Sequence, residues 1–289
     1  MSGVITSGGK VLMLHGVADA TKTVLAKFRV GIGTTTPSAS DTGLTTQVPI
    51  SGTEAVDSCD ATTGWTAGAN TTRSVNTSTY KEGTGSLNMY VSSSATSGSM
   101  DKTTTSVDFT SKDLWQFVYI SAALYANLLS TGAALTIRFG SDSSNYYYRT
   151  WTKAQLASGW NYLMFNTTTA TGTTGSPAIA ACDYYYVSYA RAAAGTDSAG
   201  DFIIDDLKVA SADDYKKAFA TGYPIVDDGM GEMTIRSVLS SGESNGFVIA
   251  EFGVENSDAT PIFYSHDTHT TITKTDLIEF IYEQIDEVV

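Results

Sequence analysis

Cysteine, histidine, proline and basic residues are all scarce in this chain of 289 residues, which has 2 Cys, 3 His, 5 Pro and 17 Lys plus Arg. Two cysteines, Cys59 and Cys182, are too few for a disulfide-dense scaffold, and their spacing fits no zinc or redox motif. They form either one pair or two buried thiols, and thiols are the favoured reading because free cysteine behaves as a small hydrophobe. The 17 basic residues face 30 acidic ones, a net charge of -13. Without a basic face to neutralise phosphates, nucleic acid is excluded as a partner, and an anionic membrane surface with it. Long apolar runs are also missing. The longest nearly uncharged one, residues 117–129, is too short to cross a bilayer and is broken by Ser121 and Asn127, so membrane insertion is not expected. The first residues lack the basic, apolar, small-residue order of a signal peptide, so export by that route is not expected.

What the chain does have is hydroxyls and aromatics. Serine and threonine number 74, and 42% of residues are hydrophobic, enough for a packed core. The aromatics are uneven. All four tryptophans and 12 of 16 tyrosines lie in residues 57–210, a stretch with 9 basic and 12 acidic residues, whereas the two flanks together hold 8 and 18. Flanks that resemble each other more than the middle point to one domain built from both chain ends, 1–56 with 211–289, and a second domain, 57–210, inserted in it.

Short β-branched and aromatic runs alternate with Gly, Ser, Thr, Asn and Asp turns almost throughout. Strands are expected at 10–17 and 24–32, at 86–91, 115–125, 135–140, 146–151, 161–165, 184–190 and 202–209, and at 233–239, 247–255, 262–265 and 277–288, where Leu277, Ile281, Ile285 and Val288 also fit a helical face but the β-branched content favours a strand. A short helix is expected at 211–220, with Ser211 as N-cap and Gly222 and Pro224 as the stop. The fold class is therefore all-β, two β-sandwich domains.

Two resemblances refine this. Asp57-Ser-Cys-Asp-Ala-Thr-Thr-Gly-Trp65, Tyr80-Lys-Glu-Gly-Thr-Gly-Ser-Leu87, Ser158-Gly-Trp-Asn-Tyr-Leu-Met-Phe165 and Phe202-Ile-Ile-Asp-Asp-Leu-Lys-Val209 follow one another as in carbohydrate-binding modules of the concanavalin A-like type, which the middle segment resembles. The resemblance implies a jelly roll, with a tryptophan buried in the third stretch. The flanks resemble virion structural proteins of tailed bacteriophages. Phe28-Arg-Val-Gly-Ile-Gly-Thr-Thr-Thr-Pro-Ser-Ala-Ser-Asp-Thr-Gly-Leu44 is similar to their GxGTTxPxxxDTxL stretch, and Ser244-Asn-Gly-Phe-Val-Ile-Ala-Glu-Phe-Gly-Val-Glu-Asn-Ser-Asp258 to their ANGxxIxExGxFxxDG strand pair, with Ser244 in place of the alanine and Ala259 in place of the last glycine.

Enzymatic chemistry finds few residues. Residues 31–36 have neither the third glycine nor the Lys-Ser/Thr of a phosphate loop. Glycoside hydrolysis calls for two facing carboxylates, and residues 57–210 contain one glutamate, Glu82. Glu279, Glu283 and Glu287 read as a solvated edge. His266 and His269, three apart in an extended segment, point to opposite faces and make no catalytic set. No enzyme is expected. The jelly-roll resemblance implies a structural calcium fastening the first and last strands, with Asp57 and Asp206 at the matching positions and Asp60, Glu82 and Asp205 as neighbouring ligands. The alternative for Asp205 and Asp206 is an ordinary strand edge.

The runs Tyr146–Tyr148 and Asp183–Tyr189 serve either as packing or as stacking surfaces for sugar rings, and the candidate sugar contacts are Tyr147, Trp151 and Tyr185. Together these readings describe a virion protein, on the tail, neck or capsid, assembled in the host cytoplasm. Its flanking domain docks on other virion proteins, it is homo-oligomeric, and its jelly roll displays a site for a host-surface glycan. The competing reading is a non-viral bacterial surface protein that binds carbohydrate.

Overall fold

The structure is a computed structural model of the chain and describes residues 4–10, 24–227, 231–257 and 261–287. The chain divides into two compact units, Thr53–Ser211 and a unit formed by Met1–Gly52 with Ala212–Val289. Regular structure is almost entirely strand. In chain order the first flank holds β1 (Val4–Ile5) and β2 (Leu25–Gly31). The middle unit holds β3 (Glu54–Asp57), β4 (Trp65–Ala67), β5 (Thr71–Asn76), β6 (Ser86–Val91), β7 (Ala95–Val107) and β8 (Lys112–Ile120). It continues with the helix α1 (Ala122–Asn127), β9 (Leu135–Asp142), β10 (Asn145–Trp151), β11 (Gly159–Phe165), β12 (Gly172–Thr174), β13 (Cys182–Gly195) and β14 (Phe202–Ser211). The last flank holds β15 (Lys217–Ala218), β16 (Ile225–Asp227), β17 (Glu232–Leu239), β18 (Val248–Asn256), β19 (Phe263–Thr273) and β20 (Phe280–Glu287).

The middle unit is a sandwich of two antiparallel sheets. One has the order β12-β10-β9-β13-β7-β4; the other runs β11-β8-β14-β6-β5, with β3 paired to β14. Alternation along each strand sends every second residue inward. Leu135, Ile137 and Phe139 of β9 and Tyr185, Val187 and Tyr189 of β13 meet Leu114, Val118 and Ile120 of β8 and Phe202 and Ile204 of β14 in one core. Aromatic contacts cross between the sheets: Tyr189 stacks on Phe202 at 4.9 Å between centroids, and Trp151 packs edge-on against Phe165 at 6.4 Å. Both cysteines are buried free thiols.

The unit made of the two flanks has a five-stranded sheet, β1-β19-β18-β2-β15, and a three-stranded sheet, β16-β17-β20. Their facing sides meet where Tyr282 stacks on Phe252 at 4.4 Å and Gln284 accepts a hydrogen bond from Ser265.

The loop after β2 is fastened by one side chain. Glu251, on β18, is fully buried; its Oε1 accepts from the amides of Gly33 (2.7 Å) and Thr46 (2.8 Å), and its Oε2 from the amide of Thr45 (2.8 Å). His266, buried on β19, places Nε2 3.2 Å from Glu251 Oε2 and Nδ1 2.7 Å from Asp41 Oδ2. The Ser38 amide and then His266 hold the Asp41 carboxyl below its usual range. A Cβ on Gly33 would lie 2.4 Å from Glu251 Oε1, so only glycine lets the backbone come this close. The two stretches singled out in the flanks thus meet in one hydrogen-bonded knot, and His266, which the sequence offered no role, is part of it.

Several expectations need correction. Residues 211–220 are not a helix: β14 runs to Ser211, a turn follows, and Lys217 and Ala218 pair with Phe28 and Lys27 of β2. Ten residues with good caps still carry the full nucleation cost, and the sheet edge offers hydrogen bonds immediately. Residues 121–125, expected in a strand, instead open α1, capped where Ser121 Oγ accepts from the Leu124 amide. Strand β7, rich in Ser, Thr and Gly, was not expected. Beyond Lys10 the first expected strand lies outside the described residues, as do Asp258, Ala259 and Val288.

If Glu251 fastens the loop, Glu251→Ala leaves three amides without an acceptor. Each buried unsatisfied group costs about 1–3 kcal/mol. Amide hydrogen exchange at Gly33, Thr45 and Thr46 is expected to accelerate by about a hundredfold or more; wild-type exchange rates in the variant would contradict this.

Candidate functional site

Since Tyr185, Val187 and Tyr189 point into the core, Tyr184, Tyr186 and Ser188 of β13 must face outward. The same parity puts Thr136 and Arg138 of β9, Tyr146, Tyr148 and Thr150 of β10, and Ser99, Asp101 and Thr103 of β7 on this outer face. The register aligns them in rows. Tyr148, Arg138, Tyr186, Asp101 and Thr66 lie opposite one another across β10, β9, β13, β7 and β4. Beside them run Tyr146, Gly140, Tyr184 and Thr103, and on the other side Thr150, Thr136, Ser188 and Ser99. Five strands at about 4.8 Å make each full row roughly 19 Å long.

The Arg138 guanidinium sits 4.6 Å from the Tyr146 ring centroid and 4.3 Å from that of Tyr186. A guanidinium held by ring faces keeps its edge N–H groups for in-plane hydrogen bonds. Burial pushes the Asp101 carboxyl up. Burial, then the neighbouring Asp101 charge, pushes the Tyr184 phenol up to about 12, so it stays a neutral donor and acceptor. The four tyrosines are half-buried, with ring surface left over for a ligand. The arrangement offers apolar ring area, a fixed fork of donors, one carboxylate and a border of hydroxyls.

The expected sugar contacts lie on the other face. Tyr185 is fully buried and donates its hydroxyl to Gln116 Oε1; Trp151 is buried against Phe165; Tyr147 packs against the core beside Phe109. In each run the alternation gave the inward place to the residue expected outside. The second sheet also carries aromatics on its outer face: Trp115 and Phe117 there are only 2% and 3% exposed, whereas Tyr119, Trp160 and Tyr162 are half-buried. Trp160, expected buried, is half-buried on that face, 5.5 Å from Tyr119; the fully buried tryptophan of the unit's entry is Trp65.

The five carboxylates expected to hold calcium lie around β3, the β5–β6 loop and the kink in β14. Asp57 Oδ1 accepts from the Cys59 amide (2.8 Å) and Trp65 Nε1 (3.3 Å), and its Oδ2 is paired with Lys102. Asp60 accepts from the amides of Thr84 (2.8 Å) and Gly85 (2.7 Å). Lys208 Nζ lies 2.8 Å from both Glu82 and Asp206. Asp205 Oδ2 accepts from the amides of Lys81 (2.6 Å) and Glu82 (3.2 Å), while its Oδ1 is buried without a hydrogen-bond partner. Calcium takes about six to eight oxygens. The single orphaned oxygen suits a cation, but the other carboxylates are shared out between two ammonium groups and backbone amides. Among the described residues no three of His, Cys, Asp and Glu are grouped so as to hold a metal ion. As arranged, the five do not offer calcium its shell.

No protein-family model matches the chain and no curated protein matches it. Solved structures similar to it include carbohydrate-binding modules. A family 11 module from Clostridium thermocellum, in complex with a β-1,3-1,4-mixed-linked tetrasaccharide, is 10% identical, with 55% of this chain and 96% of that one covered and a TM-score of 0.38. A family 22 module from the same organism is 17% identical over 56% and 92%, with a TM-score of 0.30. A xylan-binding domain from Paenibacillus barcinonensis is 12% identical over 55% and 98%, with a TM-score of 0.32.

Two outcomes are expected of the carboxylate seam. If lysines close it, excess EDTA leaves the melting temperature unchanged, while Lys208→Met, which strands buried Asp206, lowers stability by about 3 kcal/mol; a melt lowered by EDTA would put a metal there instead. Burial lifts the Asp205 carboxyl from 3.8 to about 7 and pushes Asp206 up as well. The folded state therefore holds protons that the unfolded chain releases, so this contribution is complete below about pH 4 and is lost as pH rises through about 7. Melting temperature in EDTA buffer should fall between pH 5 and 9, with a shallower slope in Asp205→Asn; an equal slope in the variant contradicts the assignment.

Proposed function

We propose that the Thr53–Ser211 unit binds an extended polysaccharide across its outer tyrosine face and performs no chemistry on it. The observation that carries this reading is the row Tyr148, Arg138, Tyr186 and Asp101, with Tyr146 and Tyr184 beside it. Pyranose rings present apolar C–H faces and equatorial hydroxyls. Tyrosine rings supply the flat apolar partner, and Arg138, Asp101 and the phenols pair with the hydroxyls. A face roughly 19 Å long accommodates several linked sugars rather than one. Glu82 is the unit's one glutamate besides Glu54 at its entry, and neither lies among the outward residues of the tyrosine rows. This favours binding over hydrolysis.

The unit formed by both chain ends is then the attachment part. Its sequence resemblance to tailed-phage structural proteins supports a place on a virion, where many copies would multiply weak glycan contacts. The Glu251 knot ties the two resembling stretches together within this unit. A bacterial surface protein would use the same tyrosine face; immunogold labelling of purified particles separates the two, and particles without label would rule out the virion.

Binding is tested by calorimetry with mixed-linked β-glucan and xylan oligosaccharides as probes. Tyr186→Ala and Arg138→Ala are each expected to weaken binding about tenfold, a loss near 1.4 kcal/mol, whereas the inward Tyr185→Phe leaves affinity unchanged. Wild-type affinity in both outer-face variants would refute the assignment of the site.

A further inference from the structure

The large apolar side chains left exposed are concentrated in the unit formed by Met1–Gly52 and Ala212–Val289, and several share one surface. On β17 the residues Ile235, Ser237 and Leu239 are buried, as is Tyr282 on β20, so the opposite side of this three-stranded sheet faces outward. Its rows follow from the register. Ile225, Thr234 and Ile285 lie opposite one another on β16, β17 and β20; next come Arg236 and Glu283, then Val238 and Ile281. Ile225 is 49% exposed, Ile281 49% and Ile285 56%. Scattered exposed isoleucines need no explanation, but apolar rows on both sides of an oppositely charged pair make a patch.

We propose that a second copy of this chain packs face to face on this sheet. Consider a two-fold axis lying in the interface, parallel to the strands and midway between β17 and β20. It sets every residue against its own cross-strand neighbour from the other copy: Arg236 against Glu283 and Glu283 against Arg236, Val238 against Ile281, Thr234 against Ile285. An isologous interface requires this kind of self-complementarity. Covering Ile281 and Ile285 removes apolar surface from water at about 25 cal/mol per Å², while Ile225 on β16 stays at the rim. Pairing through the β20 edge is disfavoured, because Glu279, Glu283 and Asp286 would line both sides of the new ladder. The overlap of β17 and β20 with their counterparts is about 27 Å by 10 Å, well under the roughly 800 Å² per partner of a stable interface. The dimer is therefore weak, and it gains when copies are held close together.

Sedimentation of the full chain over a range reaching millimolar concentration tests this. The mass should rise from monomer towards dimer. Arg236→Glu and Glu283→Arg should each weaken association at least fivefold, the double exchange should restore it, and Ile285→Asp should abolish it with melting temperature unchanged. If Ile285→Asp melts early, the charge exchange decides alone. A monomer at every concentration, or association that the double exchange fails to restore, overturns the proposal.

Discussion

A β-strand gives each residue one of two faces, and in the middle unit everything else depends on how β13 uses that rule. Tyr185, Val187 and Tyr189 fill the sandwich, Tyr185 reaching Gln116 and Tyr189 stacking on Phe202. Their neighbours Tyr184 and Tyr186 have no choice but to stand outside. The same constraint on β9 and β10 brings Arg138 up between Tyr146 and Tyr186. The packed core and the proposed recognition face come from one alternation. A slip of one residue in β13 would put the core tyrosines in water and the platform in the core.

Elsewhere, buried charge organises the chain. Glu251 collects the amides of Gly33, Thr45 and Thr46 and faces His266, so a loop with little secondary structure of its own becomes part of the sheet beneath it. In the middle unit Lys102 and Lys208 neutralise carboxylates contributed by the entry strand, a loop and the closing strand. Asp206 there adopts a φ of +54°, a left-handed conformation uncommon for a residue with a side chain, where the pairing of β14 shifts register. In both units an ionic contact joins segments far apart in sequence.

The all-β class was legible because β-branched and aromatic runs mark strands such as β6 and β14 clearly. Strand β7 was not, because Ser, Thr and Gly signal loops locally, and only its pairing with β13 and β4 makes it a strand. That strand carries Asp101 and Lys102, so missing it concealed one member of the platform and one of the seam. The tyrosine runs were recognisable as either packing or recognition, but three tyrosines in a row contain no sign of which is inward. Here the flanking residues decide: Val187 and Tyr189 continue the parity of Tyr185. The carboxylates were found in sequence, yet the lysines that neutralise them were not, since Lys102 lies 45 residues from Asp57 and no local pattern links them.

The central claim is that the outward tyrosines of the β9, β10 and β13 sheet form the recognition surface. The most direct measurement is NMR of chain labelled with 13C in the tyrosine rings, titrated with mixed-linked β-glucan and xylan oligosaccharides. The account predicts shifts at Tyr146, Tyr148, Tyr184 and Tyr186 that saturate together, with Tyr185 and Tyr189 unmoved. Saturable shifts confined to other tyrosines, or none at millimolar sugar, would contradict it.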